Sequence, residues 1–394
     1  MSENVRGEES LLSRGSFFWY SWPGKEKGMK KIEKNVSGFR AANPEKLRRA
    51  RFIDRPNRFL VRCELEGRPV RAFLPNPGRL WEILLPGTEL ILSEDGGNET
   101  RKTAFTAIAA RRGETVVLLH THITNDAAEW LIRTGRVPGL EGWAVRKREA
   151  SFGRSRFDFL LEKEGRLLLL EVKSCTLFGH ELAMFPDAPS DRGRRHVEEL
   201  GKLAGEGYGA AVLFLVQSSR PSCFLPDFHT DPKFAESLFR AKDRLRLFPL
   251  AVEWNAALEL TGEPKLLRVP WGVYERHGGD RGDCLVIVDA REKGFWAAAF
   301  PAENLSSFSG KALRRNGKDF PFPPESGGSV KVIPIRSSLP GSKNINDSLA
   351  SCASGEVVKD GVRFFAFSEP PMTNPGFVEM LLHRRTDLLL SELP

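Results

Sequence analysis

The stretch RFDFLLEKEGRLLLLEVKS, residues 156–174, decides how this chain is read. It consists of two strand-forming runs joined at Glu164-Gly165, with Asp158 near the start of one and Glu171 and Lys173 near the end of the other. A two-residue hairpin turn at Glu164-Gly165 sets Asp158 opposite Glu171, with their Cβ atoms about 5 Å apart. Lys173 shares the face of Glu171, and Phe157, Phe159, Leu170 and Val172 project to the other, because side chains alternate along a strand. Two carboxylates held side by side raise each other's proton affinity unless a cation joins them. Mg²⁺ suits such a pair, being a hard ion content with one or two carboxylates, waters and a substrate phosphate, and Mn²⁺ is the natural substitute. A lysine beside that ion can serve an attacking water. The structural alternative is that Lys173 only neutralises Asp158 or Glu171 at a sheet edge.

The rest of the composition sets the bounds. A chain of 394 residues is too long for one ordinary core, so two or three domains are expected. Hydrophobic residues at 41% and charged residues at 28% are those of an ordinary globular protein. The surplus of 59 Lys and Arg over 51 Asp and Glu suits a polyanionic partner such as a nucleic acid, although many basic proteins bind none. The five cysteines form no C-x-x-C pair, which argues against a disulfide framework or a zinc knuckle and for a reducing interior. The amino terminus carries acids where a signal peptide needs bases, and no apolar run is long enough to span a membrane. A cytoplasmic protein with no membrane partner is expected.

Four segments follow from texture along the chain. Residues 1–50 lack periodicity and read as a flexible extension, within which Met29 is an alternative start. Residues 51–118 hold short alternating runs (RFLVRCEL, PVRAFLP, TELILSE, KTAFTAIAAR) punctuated by Gly67, the PNPG of residues 75–78 and EDGGN. That pattern predicts a small β-barrel of the oligonucleotide-binding kind, a DNA-binding module, with a β-sandwich that binds no ligand as the alternative. Residues 119–255 read as helix, strand pair, helix, strand, helix, strand, a compact α/β unit. In it NDAAEWLIRTGRVPG predicts a helix capped by Asn125 or Asp126, and AAVLFLVQ a strand buried on both faces. Residues 256–394 read as a separate α+β domain of unknown role, ending in a helix capped by Asn374.

Asp158 followed by Glu171-Val172-Lys173 resembles the core of the PD-(D/E)XK nuclease superfamily. FLPNPGRL, NDAAEWLIRTGRVPGLEGW, RSRFDFLL, EVKSCTL, FPDAPSDRGRRHVEEL and AAVLFLVQ then occur in one order over residues 52–255. Together they closely resemble the sugar fermentation stimulation protein A family. The resemblance implies a small OB-like β-barrel followed by a PD-(D/E)XK nuclease-like α/β domain, in a multidomain α/β and β protein. It implies largely sequence-non-specific DNA binding and a regulatory role in sugar (maltose) metabolism, with DNA hydrolysis suggested by the fold. Carried onto this chain, it makes Asp158 and Glu171 metal ligands, Lys173 the catalytic lysine, and Glu129 the helical acid that reaches the metal through water. The alternative for Glu129 is a capping partner of Asp126. Ser174-Cys175 and Pro77 depart from the family's common forms.

Further residues are candidates for DNA contact. Arg192, Arg195 and His196 begin a helix, where arginines and the helix start both favour anions; Arg192 and His196 share a face away from the apolar stripe. A solvated basic face explains the same residues. In the barrel, Arg58, Arg62, Arg71, Arg79 and Trp81 mix charge with an aromatic as a strand-tracking surface does; a core Trp81 among solvated arginines is the alternative. Asp187 either supports the site or caps a turn, and His120 and His122 alternate along a strand without a third zinc ligand. A faint likeness of the last segment to a GIY-YIG-like module lacks that module's tyrosines. Two functions stand side by side: Mg²⁺-dependent deoxyribonuclease, and non-catalytic DNA-binding regulator. A nucleotide- or oligosaccharide-binding protein is a remoter third.

Overall fold

The structure is a computed structural model that describes residues 38–94, 103–153, 155–278, 283–289, 295–301, 307–309, 312–315, 318–320, 329–335, 345–359 and 362–392. Most of the extension expected over 1–50 therefore lies outside the described residues, but its end does not. Phe39, Ala41 and Ala42 pack against the core, and the first strand already begins at Leu47.

The first unit is a closed barrel. Strands β1 (Leu47–Asn57), β2 (Leu60–Leu65) and β3 (Arg68–Phe73) form an antiparallel meander, and β4 (Glu89–Glu94) pairs with β1 and with β5 (Phe105–Arg112). A short parallel pairing of β3 with β5 closes the ring, and β6 (Thr115–Leu118) adds to β5 outside it. Alternation explains the closure: Ala50, Phe52, Val61, Cys63, Ala72, Leu90 and Leu92 fill the interior while the residues between them face out. Glu66 and Gly67, at φ 52° and 75°, make the mirror-image turn that a tight β2–β3 hairpin requires.

The second unit is a six-stranded mixed sheet with helices on both faces. Helix α1 (Thr121–Arg133) precedes the antiparallel strands β7 (Ala144–Phe152), β8 (Ser155–Lys163) and β9 (Arg166–Cys175). After β10 (Leu177–Phe178) and β11 (Leu182–Phe185) come α2 (Asp191–Gly205), β12 (Gly209–Val216), β13 (Cys223–Pro226), α3 (Pro232–Ala241), β14 (Arg246–Trp254) and β15 (Leu260–Leu266). The sheet order is β15-β14-β12-β9-β8-β7, with β9, β12 and β14 parallel at its centre. Helix α1 covers one face through Ala127, Leu131 and Ile132; α2 and α3 cover the other through Val197, Leu200, Phe234 and Leu238. The all-apolar β12 is buried on both faces, as its sequence predicts.

Two expected boundaries move. Helix α1 begins at Thr121 with His120 as its cap, rather than at Asn125 or Asp126, so His120 and His122 lie at a helix start and not along a strand. A break at residue 255 would cut the sheet, because β15 pairs with β14 beyond it.

Past α4 (Trp271–His277) a five-stranded sheet forms from β16 (Asp283–Asp289) and β17 (Phe295–Pro301). The short strands β18 (Ser307–Ser309), β19 (Ala312–Arg315) and β20 (Lys318–Phe320) pair among themselves. Strand β21 (Ser329–Ile335) joins β16, and after α5 (Ile345–Ala350) the strands β22 (Gly355–Lys359) and β23 (Val362–Phe367) complete the order β21-β16-β17-β23-β22. Helix α6 (Pro375–Arg385), capped by Asn374, then returns to the α/β unit. There Arg385 is bonded inside the protein to Asp227 (2.9 Å) and Thr230 (2.6 Å), and Asp387 accepts from the amides of His180 and Glu181 (2.9 and 2.8 Å). The last segment is thus docked rather than separate. Among the described residues no helix is long and apolar enough to cross a membrane, and Cys63, Cys175, Cys223 and Cys352 are free.

The joint contains a carboxyl group in an apolar setting. Glu82 is fully buried, and neither of its oxygens has a side-chain or main-chain donor among the described residues at good geometry. Burial, then the charge of Asp187, pushes its carboxyl up to about 8 against the pull of Arg112 and Arg385. A raised folded value means that the stability Glu82 contributes is complete below its ordinary value of 4.5 and is lost as pH rises toward about 8. Relative to wild type, Glu82→Met is expected to gain on the order of 3 kcal/mol in unfolding free energy between about pH 5 and pH 8. Urea melts at the two pH values measure this; an unchanging difference between the proteins would contradict it.

Candidate functional site

The hairpin that opened the reading forms as predicted. Glu164 and Gly165 take φ 50° and 74°, and the β8–β9 register runs from Lys163↔Arg166 to Phe159↔Leu170. At Asp158 the ladder stops. Its Oδ2 accepts from the Val172 amide (2.8 Å) and its Oδ1 from Asn125 Nδ2 (2.8 Å), so a carboxylate stands where a backbone carbonyl would. On the neighbouring strand Glu149 takes a positive φ of 52°. The two-residue alternation breaks there. Phe157, expected on the face away from the acids, instead packs on the α2 side with its ring edge-on to His196 (6.0 Å).

Glu171 lies on the same side. Its Oε1 accepts from Lys173 Nζ and meets His196 Nδ1, both at 2.6 Å. Its Oε2 is buried without a partner among the described residues. Side-chain exposure is 5% for Glu171 and 16% for Lys173, so the charged pair is largely withdrawn from water. Burial works against ionisation of Glu171, but His196 and Lys173 outweigh it and hold its carboxyl below the usual range. Burial, then the charge of Glu171, pushes Asp158 up against the bonds from Val172 and Asn125 and the charge of Lys173. The two acids are therefore driven apart in proton affinity, as in a working acid pair.

These groups form the floor of a cleft of about 940 Å³. Its walls are the barrel turn Asn76–Gly78, the first turns of α1 and the loop from β11 into α2. Arg58 stands at the barrel side and Arg192 at the α2 side, and neither is ion-paired with a described carboxylate. Arg156 also reaches the cleft, paired with Glu149 (2.7 Å). The barrel turn is pinned from below. Arg55 donates to the carbonyls of Gly78 (2.6 Å), Asn76 (2.8 Å), Arg79 (2.8 Å) and Arg58 (2.6 Å). Asp187 accepts from the Leu80 amide (3.2 Å), and a Cβ on Gly78 would collide with its carboxylate, which is why the turn needs glycine there. Asp187 is thus a structural support of the turn.

Several expectations change. Glu129 does not face the acids: it is held by Arg133 (2.6 Å) and Arg148 (2.9 Å), because α1 starts at Thr121 and presents Asn125, one turn earlier, to Asp158. Asp126 is no capping partner either, being bonded to Arg148 (2.7 Å). His196 points inward to Glu171 rather than outward beside Arg192, while Arg195 is exposed and does not line the cleft. Trp81 is half-buried between a core cluster of the α/β unit and that of the last segment, with the Arg385 guanidinium over its ring at 5.9 Å, so it is no part of a strand-tracking surface. Of the barrel arginines, Arg62 is engaged by Asp54 (2.6 Å), and Arg71 and Arg79 are exposed. Asn125, expected only as a helix cap, and Arg55 and Arg156 are further residues of the site; the spacing of Thr121 and Asn125, four apart at the start of α1, is the sequence signal for the first.

Among the described residues no group of three or more His, Cys, Asp and Glu side chains converges as a metal cage. The donor set is two carboxylates, one with an unused buried oxygen. That poverty excludes a structural zinc site but fits a hard divalent ion that keeps most of its waters.

A five-stranded OB-like barrel followed by an α/β domain, with two acids and a lysine on the central hairpin of the second, defines a two-part architecture. The family model described as the SfsA N-terminal OB domain matches residues 53–119, and that of the sugar fermentation stimulation protein RE domain matches residues 122–257. The chain belongs to the sugar fermentation stimulation protein family. It is 46% identical over 196 residues to a homologue from Methanothermobacter thermautotrophicus, covering 50% of this chain and 81% of that one. A homologue from Clostridium botulinum is 41% identical over 197 residues, covering 50% of this chain and 85% of its own. A solved structure of Pyrococcus furiosus SfsA in complex with Ca²⁺ superposes with a TM-score of 0.54 at 31% identity, over 59% of this chain and 99% of that one.

Proposed function

We propose that this protein binds DNA across the cleft between barrel and α/β unit, largely without regard to sequence, and hydrolyses phosphodiesters there with Mg²⁺ or Mn²⁺. The observation that carries the reading is Glu171 Oε2, a buried carboxylate oxygen without a partner among the described residues, beside Asp158 at the floor of an arginine-walled cleft. That the Pyrococcus relative was solved in complex with Ca²⁺ is in keeping with a divalent ion here. Asp158 and Glu171 would hold it; when bound, such an ion polarises a phosphate and acidifies water.

The chain's own groups divide the remaining work. Arg58 and Arg192, on opposite walls, hold the backbone phosphates on either side of the scissile bond. Lys173, held at 2.6 Å from Glu171, presents its ammonium to the attacking water and stabilises charge developing on it. His196 orients Glu171 from beneath, and Asn125 and the Val172 amide fix the Asp158 carboxylate. Non-specificity follows from contacts that reach phosphates, which carry no base information.

A second reading, a non-catalytic DNA-binding regulator of sugar metabolism genes, has one observation in its favour. Glu129, the third acid of the nuclease pattern, is locked in ion pairs away from the cleft. The two part cleanly in one experiment. Unrelated DNA duplexes and single strands are titrated over a salt series, then incubated with Mg²⁺ or Mn²⁺, wild type against Lys173→Ala. Binding is expected to fall about 10³-fold or more between about 50 and 200 mM salt, with ion-dependent cleavage lost in the variant. Binding without cleavage above the variant's level leaves the regulator; no binding at low salt removes both.

A further inference from the structure

The barrel carries an aromatic pair that the proposed cleft chemistry does not use. Phe59, in the β1–β2 turn, and Phe73, at the end of β3, are 45% and 41% exposed. Their rings stack on each other at 6.5 Å between centroids and 30° between planes. The backbone sets this: the Leu74 amide donates to the Phe59 carbonyl (2.9 Å), and Leu60 pairs with Phe73 across β2 and β3. Single exposed apolar side chains need no explanation, but a stacked pair of solvent-facing rings is a patch.

Its surroundings are cationic. The Arg58 guanidinium lies 5.8 Å from the Phe59 centroid and also lines the cleft, so patch and cleft are continuous. Arg71 shares the face of Phe73, two residues away on the same strand. Opposite Arg71 stands Arg62, whose charge Asp54 already neutralises. Arg58 and Arg71 are left without a described carboxylate, one at each end of the ring pair.

We infer that Phe59 and Phe73 form a base-stacking platform for unpaired nucleobases of a single strand, with Arg58 and Arg71 on its phosphates, feeding that strand into the cleft. This rests on the nucleic-acid reading of the cleft and adds to it the form of the substrate. Aromatic rings with arginines alongside are the chemistry that single strands select, since every base offers a π-face. In a duplex those faces are covered by neighbouring base pairs, so the rings gain nothing from it.

The test is anisotropy with a labelled oligothymidylate of about twelve nucleotides and a blunt duplex of the same length, at about 50 mM salt. Phe59→Ala and Phe73→Ala are each expected to weaken single-strand binding roughly tenfold, and Phe73→Trp to retain it. Duplex binding is expected to change less than about twofold, because the backbone term is untouched. Wild type that binds the oligonucleotide while both alanine variants bind it equally well overturns this inference alone. An equal loss on duplex, or altered self-association with unchanged oligonucleotide binding, also overturns it, the latter marking a protein contact. Wild type that binds neither DNA at low salt removes the cleft reading as well.

Discussion

Asp158→Ala is expected to abolish divalent-ion binding in calorimetric titration and to lower ion-dependent DNA cleavage at least about a hundredfold. Asp158 and Glu171 are the carboxylates of the hairpin at the cleft floor, so loss of Asp158 leaves Glu171 with Oε1 already committed to Lys173 and His196. A single remaining oxygen cannot hold a hard ion against bulk water. Alanine also strips an acceptor from the Val172 amide and from Asn125, so Asp158→Asn, which keeps the shape and one acceptor, separates lost charge from lost packing. The pH dependence follows from the same geometry. Burial and the neighbouring Glu171 raise Asp158, so ion binding needs a proton removed at a higher pH than an ordinary aspartate requires. Wild-type affinity should therefore keep climbing with pH above the usual aspartate value of about 3.9 before it levels off. Without ion the two acids act oppositely on stability. The contribution of Asp158 is complete below its ordinary value and lost as pH rises through its folded one. That of Glu171 is present above its ordinary value and lost as pH falls through its lowered folded one. Ion affinity in Asp158→Asn equal to wild type would end the metal assignment.

Arg385→Ala is expected to cost about 3–5 kcal/mol of unfolding free energy, read from chemical denaturation. Arg385 and Asp227 face each other at 2.9 Å with side chains 2% and 0% exposed. Removing the guanidinium leaves the carboxylate buried with only the amides of His229 and Thr230 (3.0 and 3.1 Å) and takes the cation from over Trp81. The consequence reaches the cleft, because the Asp227 amide donates to the Phe185 carbonyl (2.7 Å) at the head of the loop that forms one wall. The double change Arg385→Met with Asp227→Asn is expected to recover part of the loss, since the asparagine oxygen still accepts from the His229 and Thr230 amides and no unpaired charge is left buried. A single-variant loss under about 1 kcal/mol would mean that the last segment is not held where the structure has it.

The sequence by itself determined whatever depends on neighbours along the chain. The hairpin of residues 156–174 was legible because the turn residues Glu164-Gly165 and period-two alternation are local, and they alone put Asp158 and Glu171 on adjacent strands. The same holds for β12, whose unbroken apolar run demands burial on both faces, and for the ordered motifs that carried the family. Tertiary structure decided what depends on residues far apart. Glu129 left the site because Arg148, nineteen residues on, competes for it, and Asn125 entered because the cap at His120 moved the helix start by a turn. His196 turned inward because Glu171 sits beneath α2, and Trp81 was taken by an arginine of the chain's last helix. Electrostatic partners are chosen by distance in space, at energies that outweigh the weak local preferences a sequence displays, so a linear reading locates the acids but not the company they keep.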